Sequence, residues 1–225
     1  MKSLASKTIF GFGELIIALG LFLFAPAWTF DYWQAWVYIG VFAISAALIT
    51  AYLWKKDPKL LERRVNAGPV AEKEKYQKLI QLFASVVFIG MMIFPSLDHR
   101  FSWSSVPVSI VIIGDVFVAL GFFIVFIVFK ANTFTSATIE VATEQKVIST
   151  GPYAIVRHPM YVGGLVMLFG TPVALGSWWG LIIFVPMTFV IVFRLLDEEK
   201  FLRMNLSGYN EYCEKVFYRL LPLIW

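Results

Sequence analysis

The 225-residue chain is 59% hydrophobic and only 15% charged, with a mean hydropathy of +0.75 and a formal net charge of +4. That apolar share excludes an ordinary soluble domain and points to one polytopic membrane domain over 1–225. The basic residues alternate with apolar segments, which argues against a nucleic-acid partner. The single cysteine, Cys213, excludes an intrachain disulfide and a thiolate metal site.

A membrane crossing takes about 20 mostly apolar residues. Four stretches qualify: 8–27, 33–54, 79–97 and 106–129. The first has basic residues before it and Ala25-Pro26-Ala27 at its end, as a signal peptide does. Its apolar run from Ile9 to Ala27 exceeds the ~7–15 residues of such a segment and contains Glu14, so it reads as a retained span. The mixed-charge loop 55–78 reads as a solvated amphipathic helix drawn to anionic membrane lipid.

The loop 130–159 carries a polar, β-prone run, Thr133 to Val141, suited to folding back as a pocket wall. The apolar stretch 160–196 breaks at Gly176-Ser177, which predicts a tight hairpin of two short helices, 160–175 and 178–196. In 197–225, Asp197-Glu198-Glu199 reads as a helix start and Gly208 as a break. The expected fold is therefore all-α: a membrane bundle of about six transmembrane helices, with 1–129 as a four-span scaffold and 130–225 carrying the site. With both termini cytosolic, 18 of the 19 Lys and Arg fall on the cytosolic side and Arg100 alone lies opposite. The compact size suits a prokaryotic cell membrane, with the site facing the cytosol.

Polar groups cluster where apolar segments end. Arg157-His158-Pro159 precedes a span, and His158 is one of only two histidines. Arg194 and Glu198 share a helix face, and a guanidinium inside the end of a span demands an anionic partner. As a bland alternative, the pair is a simple ion pair and Arg157 a basic helix flank. Glu14 and Asp115 are intramembrane acids, functional by default or else helix–helix hydrogen-bonding groups. One His without nearby carboxylates or Cys is no metal ligand set, so no metal is expected.

The run Gly151-Pro-Tyr-x-x-Val-Arg-His-Pro-x-Tyr161-x-Gly, then Arg194-x-x-x-Glu-Glu199-x-x-Leu, then Gly208-Tyr-x-x-Tyr and Arg219-Leu-x-Pro resembles the isoprenylcysteine carboxyl methyltransferase family and its phospholipid methyltransferase relatives. The resemblance covers about 130–225. It implies S-adenosyl-L-methionine as cofactor and a lipid-like or isoprenoid methyl acceptor. It implies cofactor contacts at Gln145, Lys146, Val147, Ile148, Tyr153, His158, Pro159, Met160, Tyr161 and Glu198. It further implies catalytic roles for Arg157, Arg194 and Glu198, with Arg194 orienting the acceptor. Eukaryotic members carry an Arg at the end of the span before the loop, where this chain has Lys130.

Such chemistry needs little beyond alignment. A carboxylate acceptor is already ionised at pH 7, and positioning alone can supply ~7–11 kcal/mol. Two rivals remain. Membrane sterol and steroid reductases using NADPH share a similar C-terminus but carry Arg-His-x-Asn-Tyr-x-Gly-Asp, whereas this chain has Met160 and Gly164 at the Asn and Asp positions. A non-enzymatic membrane binder or transporter would call for internal repeats, which the sequence lacks.

Overall fold

The computed structural model describes residues 4–65, 72, 75–139 and 145–225. Lys2 and Lys73 of the charge count, and Glu140 and Val141 of the polar loop, lie outside the described residues. The described elements are helical, with no strand among them: α1 Leu4–Ala27, α2 Trp33–Lys56, α3 Pro58–Val65, α4 Lys75–Phe101, α5 Val108–Ala131, α6 Pro159–Ala174, α7 Leu181–Asn205 and α8 Tyr209–Lys215, plus a short 3-10 turn Gly151–Ala154. Four of these, α1, α2, α4 and α5, are long and apolar enough to cross a membrane. The polar run 133–139 forms turns and bends rather than extended structure.

The long helices form a closed ring in the spatial order α1, α2, α5, α6, α7, α4, with α4 returning to α1. Its core is built from Leu19, Leu23, Tyr38, Met91, Met92, Val118 and Leu175, all buried. Two buried tyrosines tie α2 to the α6 end of the hairpin. Tyr32 Oη donates to the Leu175 carbonyl at 2.7 Å, and the Tyr38 and Thr171 hydroxyls lie 3.4 Å apart. The hairpin turn falls where expected: Gly176 has φ +74°, a conformation that costs glycine little. At the same end, Asp98 accepts from the Ser104 backbone N–H and hydroxyl at 2.6 Å each and from the Ser177 hydroxyl, closing the turn onto the end of α4.

The tightest seam is α5 against α6. Glycines seven residues apart on each helix, Gly114 and Gly121 facing Gly163 and Gly170, bring backbone against backbone. A Cβ at Gly121 would lie 2.6 Å from the Gly163 carbonyl oxygen, and one at Gly170 2.6 Å from the Gly114 carbonyl oxygen. Small residues allow this approach in a setting where apolar burial alone drives little helix association.

The expectation of a new helix starting at Asp197 is corrected. α7 runs unbroken from Leu181 to Asn205, so Asp197, Glu198 and Glu199 sit inside it. Acidic residues resemble a first turn, but here the helix continues and its charged half, Arg194 to Asn205, extends beyond the apolar part. The loop 55–78 does hold an amphipathic helix, α3, whose Leu60 and Leu61 bury against Leu53 and Phe129.

Gly121→Ala and Gly163→Ala are expected to lower the melting temperature of detergent-solubilised protein by roughly 4–8 °C, through overpacking at the seam. Gly40→Ala, where an added methyl meets nothing within 4 Å, leaves it unchanged or raises it. Tryptophan-fluorescence melting distinguishes the two.

Candidate active site

At the end of the bundle where α2, α5 and α7 finish, the helices enclose a cavity of about 720 Å³. All twelve residues that the family resemblance implies line it: Gln145, Lys146, Val147, Ile148, Tyr153, Arg157, His158, Pro159, Met160, Tyr161, Arg194 and Glu198. They come from two separated stretches: the loop 145–158 running into the start of α6, and α7. Deeper in, the lining turns apolar, with Phe88 of α4, Phe122 of α5, Met167 and Leu168 of α6, and Met187 and Ile191 of α7. Residues 134–139 close one side, as a folded-back loop should.

One buried carboxylate of α7 locks that helix to the start of α6 and to the C-terminal tail. Glu199, only 3% exposed, receives Arg157 Nε at 3.0 Å, His158 Nε2 at 3.2 Å and Arg219 Nε at 3.0 Å. The Arg157 contact is an ion pair whose N–H is not aligned as a hydrogen bond. The same junction satisfies the backbone before α6: the N–H groups of Arg157 and His158 donate to the carbonyls of Tyr218 and Arg219 at 2.9 and 3.0 Å. Pro159 then opens α6, where its missing N–H costs nothing. Burial pushes the Glu199 carboxyl up, but the hydrogen bonds from His158 and Arg219 and the charge of Arg157 outweigh it and hold the pKa at about 2.

Glu198, the next residue, turns into the cavity. Its Oε2 accepts from the Tyr161 hydroxyl at 2.6 Å, and it forms no ion pair with a described residue. Tyr153 Oη accepts from Asn132 Nδ2 at 3.2 Å, and burial pushes its phenol up to about 12. Tyr212 Oη donates to the Tyr153 carbonyl at 2.7 Å. Tyr209 lines the cavity with its hydroxyl buried and without a hydrogen-bond partner, and burial raises its phenol as well.

Arg194 does not make the ion pair with Glu198 that the bland alternative gave it. Its Nη2 donates to Glu72 Oε1 at 2.8 Å and to the Ala137 carbonyl at 3.0 Å, and its Nη1 to Gln77 Oε1 at 2.9 Å. The carboxylate that this guanidinium requires comes from the loop 55–78, where Glu72 is 2% exposed rather than solvated. Lys130 does not line the cavity; its ammonium lies 5.8 Å over the Phe126 ring. Glu14 is exposed on α1, and Asp115 is buried in α5 with neither carboxylate oxygen hydrogen-bonded, so the helix–helix bond expected of it is not made. Neither lines the cavity.

Sequence reasoning assigned no site role to Arg64, Asn132, Tyr209 or Tyr212, which all line the cavity. For Tyr209 and Tyr212 the Gly-Tyr-x-x-Tyr motif was the signal. For Arg64 there was none, because its mixed-charge surroundings read as a surface helix.

A family model described as phospholipid methyltransferase matches residues 109–208. Two probable protein-S-isoprenylcysteine O-methyltransferases, from Oryza sativa subspecies indica and japonica, are each 30% identical over 157 residues, covering 68% of this chain and 80% of theirs. A Delta(14)-sterol reductase of Mus musculus is 30% identical over 95 residues, covering 39% of this chain but only 22% of its own length.

The Glu199 junction yields a pH test. Its folded pKa of about 2 lies below the ordinary 4.5, so it stabilises the fold above pH 4.5 and that contribution is lost as pH falls toward 2. Glu199→Gln is expected to flatten the stability-versus-pH slope across this window. At neutral pH it should cost about 3 kcal/mol by leaving buried cations uncompensated. Chemical denaturation in detergent at stepped pH checks both.

Proposed function

We infer the reaction from a fixed premise: the chain belongs to the isoprenylcysteine O-methyltransferase family, whose relatives include the phospholipid methyltransferases. It is a membrane methyltransferase of this type. The finer proposal is an S-adenosyl-L-methionine-dependent transfer to a lipophilic acceptor, the carboxylate of an isoprenylcysteine-like molecule or another small lipid. One observation carries it: the stretch 145–161 and α7, distant in sequence, converge on one cavity that is polar at its mouth and apolar within the bundle.

The residues present fit the cofactor. Glu198 is a cavity carboxylate without a cationic partner among the described residues, and Tyr209 offers an unpartnered hydroxyl. Together they suit an ammonium or sulfonium group. His158, Pro159, Met160 and Tyr161 would wall it on one side, with Gln145, Lys146, Val147, Ile148 and Tyr153 across from them. When bound, S-adenosyl-L-methionine supplies an electrophilic methyl group. The chain's own part is alignment and electrostatics. Glu198, held by Tyr161, fixes the cationic end. Arg157 keeps the α6 wall in place through Glu199. Arg194, oriented by Glu72 and Gln77, adds positive charge on the acceptor side. The acceptor's tail enters the apolar depth between α4, α5, α6 and α7. With the basic end of the bundle cytosolic, as the charge bias supports, the cofactor enters from the cytosol and the acceptor from the membrane.

Calorimetry on detergent-purified protein tests this. S-adenosyl-L-methionine is expected to bind with micromolar affinity, and Glu198→Gln and His158→Ala to weaken it at least about tenfold, with NADPH giving no heat. NADPH binding in place of S-adenosyl-L-methionine would overturn the reading in favour of a reductase.

A further inference from the structure

We propose that Arg64 is the residue that recognises the acceptor's head group, by pairing with its negative charge. The proposal rests on the methyl-transfer reading of this cavity and adds the residue and charge that select its second substrate.

An inventory of cavity cations leads to Arg64. Arg157 is tied to Glu199, and Arg194 is tied to Glu72, Gln77 and the Ala137 carbonyl. Lys146 is exposed at the rim. Among the described residues Arg64 has one hydrogen bond, from Nη1 to the Ser136 carbonyl at 2.7 Å, and its guanidinium lies 5.2 Å over the Phe129 ring. It forms no ion pair with a described residue, Glu198 included. A guanidinium has five N–H donors in a planar fork. Most of these have no partner among the described residues and suit something that enters the cavity.

The position of Arg64 is built rather than incidental. Asp57 Oδ1 caps α3 by accepting from the Leu60 N–H at 2.9 Å, while Leu60 and Leu61 anchor the helix against Leu53 and Phe129. That packing leaves Arg64 on the cavity side. Arg63, one residue earlier, turns to the Thr133 carbonyl and does not line this cavity. Burial first, and then the nearby charge of Arg194, push the Arg64 guanidinium below its ordinary value, against the offsetting influence of Tyr161, Tyr153 and Glu198. A bound anion would relieve that unfavourable placement. The cavity thus has two poles: the Glu198 carboxylate for a cation and the Arg64 guanidinium for an anion. That arrangement suits transfer from a cationic donor to an anionic acceptor.

The test uses matched lipid probes on the full-length protein in detergent. They are the N-acetyl-S-farnesylcysteine free acid, its methyl ester, dodecyl phosphate and dodecanol. Wild-type protein is expected to bind an anionic probe at least about tenfold more tightly than its neutral counterpart, and whichever anion shows this preference identifies the head group. Arg64→Gln abolishes the preference, whereas Arg63→Gln on the same helix keeps it. Arg64→Met, which retains the stem against Phe129, carries the same reading if the Gln variant does not melt cooperatively. No anion preference in wild type, or a preference that survives loss of the Arg64 charge, overturns the proposal. S-adenosyl-L-methionine binding is measured in parallel. Its absence would sink the methyl-transfer reading, while the anion preference is read independently.

Discussion

The site depends on one compensated charge. A carboxylate as buried as Glu199 would be costly alone, and it persists because Arg157, His158 and Arg219 reach it from two other segments. The start of α6, the charged half of α7 and the C-terminal tail are thereby one unit. Glu198 benefits directly. Neighbouring residues on an α-helix point about 100° apart, so holding Glu199 against the junction turns Glu198 into the cavity. Two like-charged neighbours are thus placed oppositely, one saturated with cations and the other facing the cavity.

The depth of the cavity follows from the glycine seam and a short helix. At 16 residues, α6 is about 24 Å long, less than the ~30 Å of a hydrocarbon core. The seam with α5 fixes how far along the bundle it sits. Its other end is held by the Gly176 turn and by Tyr32 on the Leu175 carbonyl. The missing turn is consequently at the start of α6, and the polar segment Arg157–Tyr161 lies among its neighbours. Covering that polar end falls to the loop 133–139 and α8, whose backbone groups need partners that lipid could not offer.

The apolar spans were legible because hydrophobicity alone defines them, and the hairpin turn because glycine at positive φ marks it. The site residues were legible through the order of motifs from Gly151 to Arg219, which no spacing rule would have supplied. What stayed hidden was long-range pairing. Arg194 and Glu198 have the spacing of an ion pair, yet Glu72 competes successfully because it is buried with the guanidinium and meets it at 2.8 Å. Glu72 and Arg64 lie in a segment whose alternating charges match a solvated helix, and only the fold reveals that one is buried and the other lines a cavity. Similarly, Gly114, Gly121, Gly163 and Gly170 show a small-residue period within each helix, but nothing local says that the two helices meet.

On the proposed reading, the same geometry limits what the acceptor can be. Along one face of α6, Met160 and Tyr161 belong to the polar mouth, while Gly164, Met167 and Leu168 lead into the apolar depth. These positions recur at three- and four-residue steps, one turn apart. The environment therefore changes from charged to apolar within about two turns, some 10 Å. A long polar head would leave unsatisfied groups against Met167 and Leu168, and a purely apolar molecule would leave the polar mouth without its partner. The molecule that satisfies both has a compact charged head joined directly to a chain, so the boundary on α6 selects amphipathic acceptors by the distance between charge and tail.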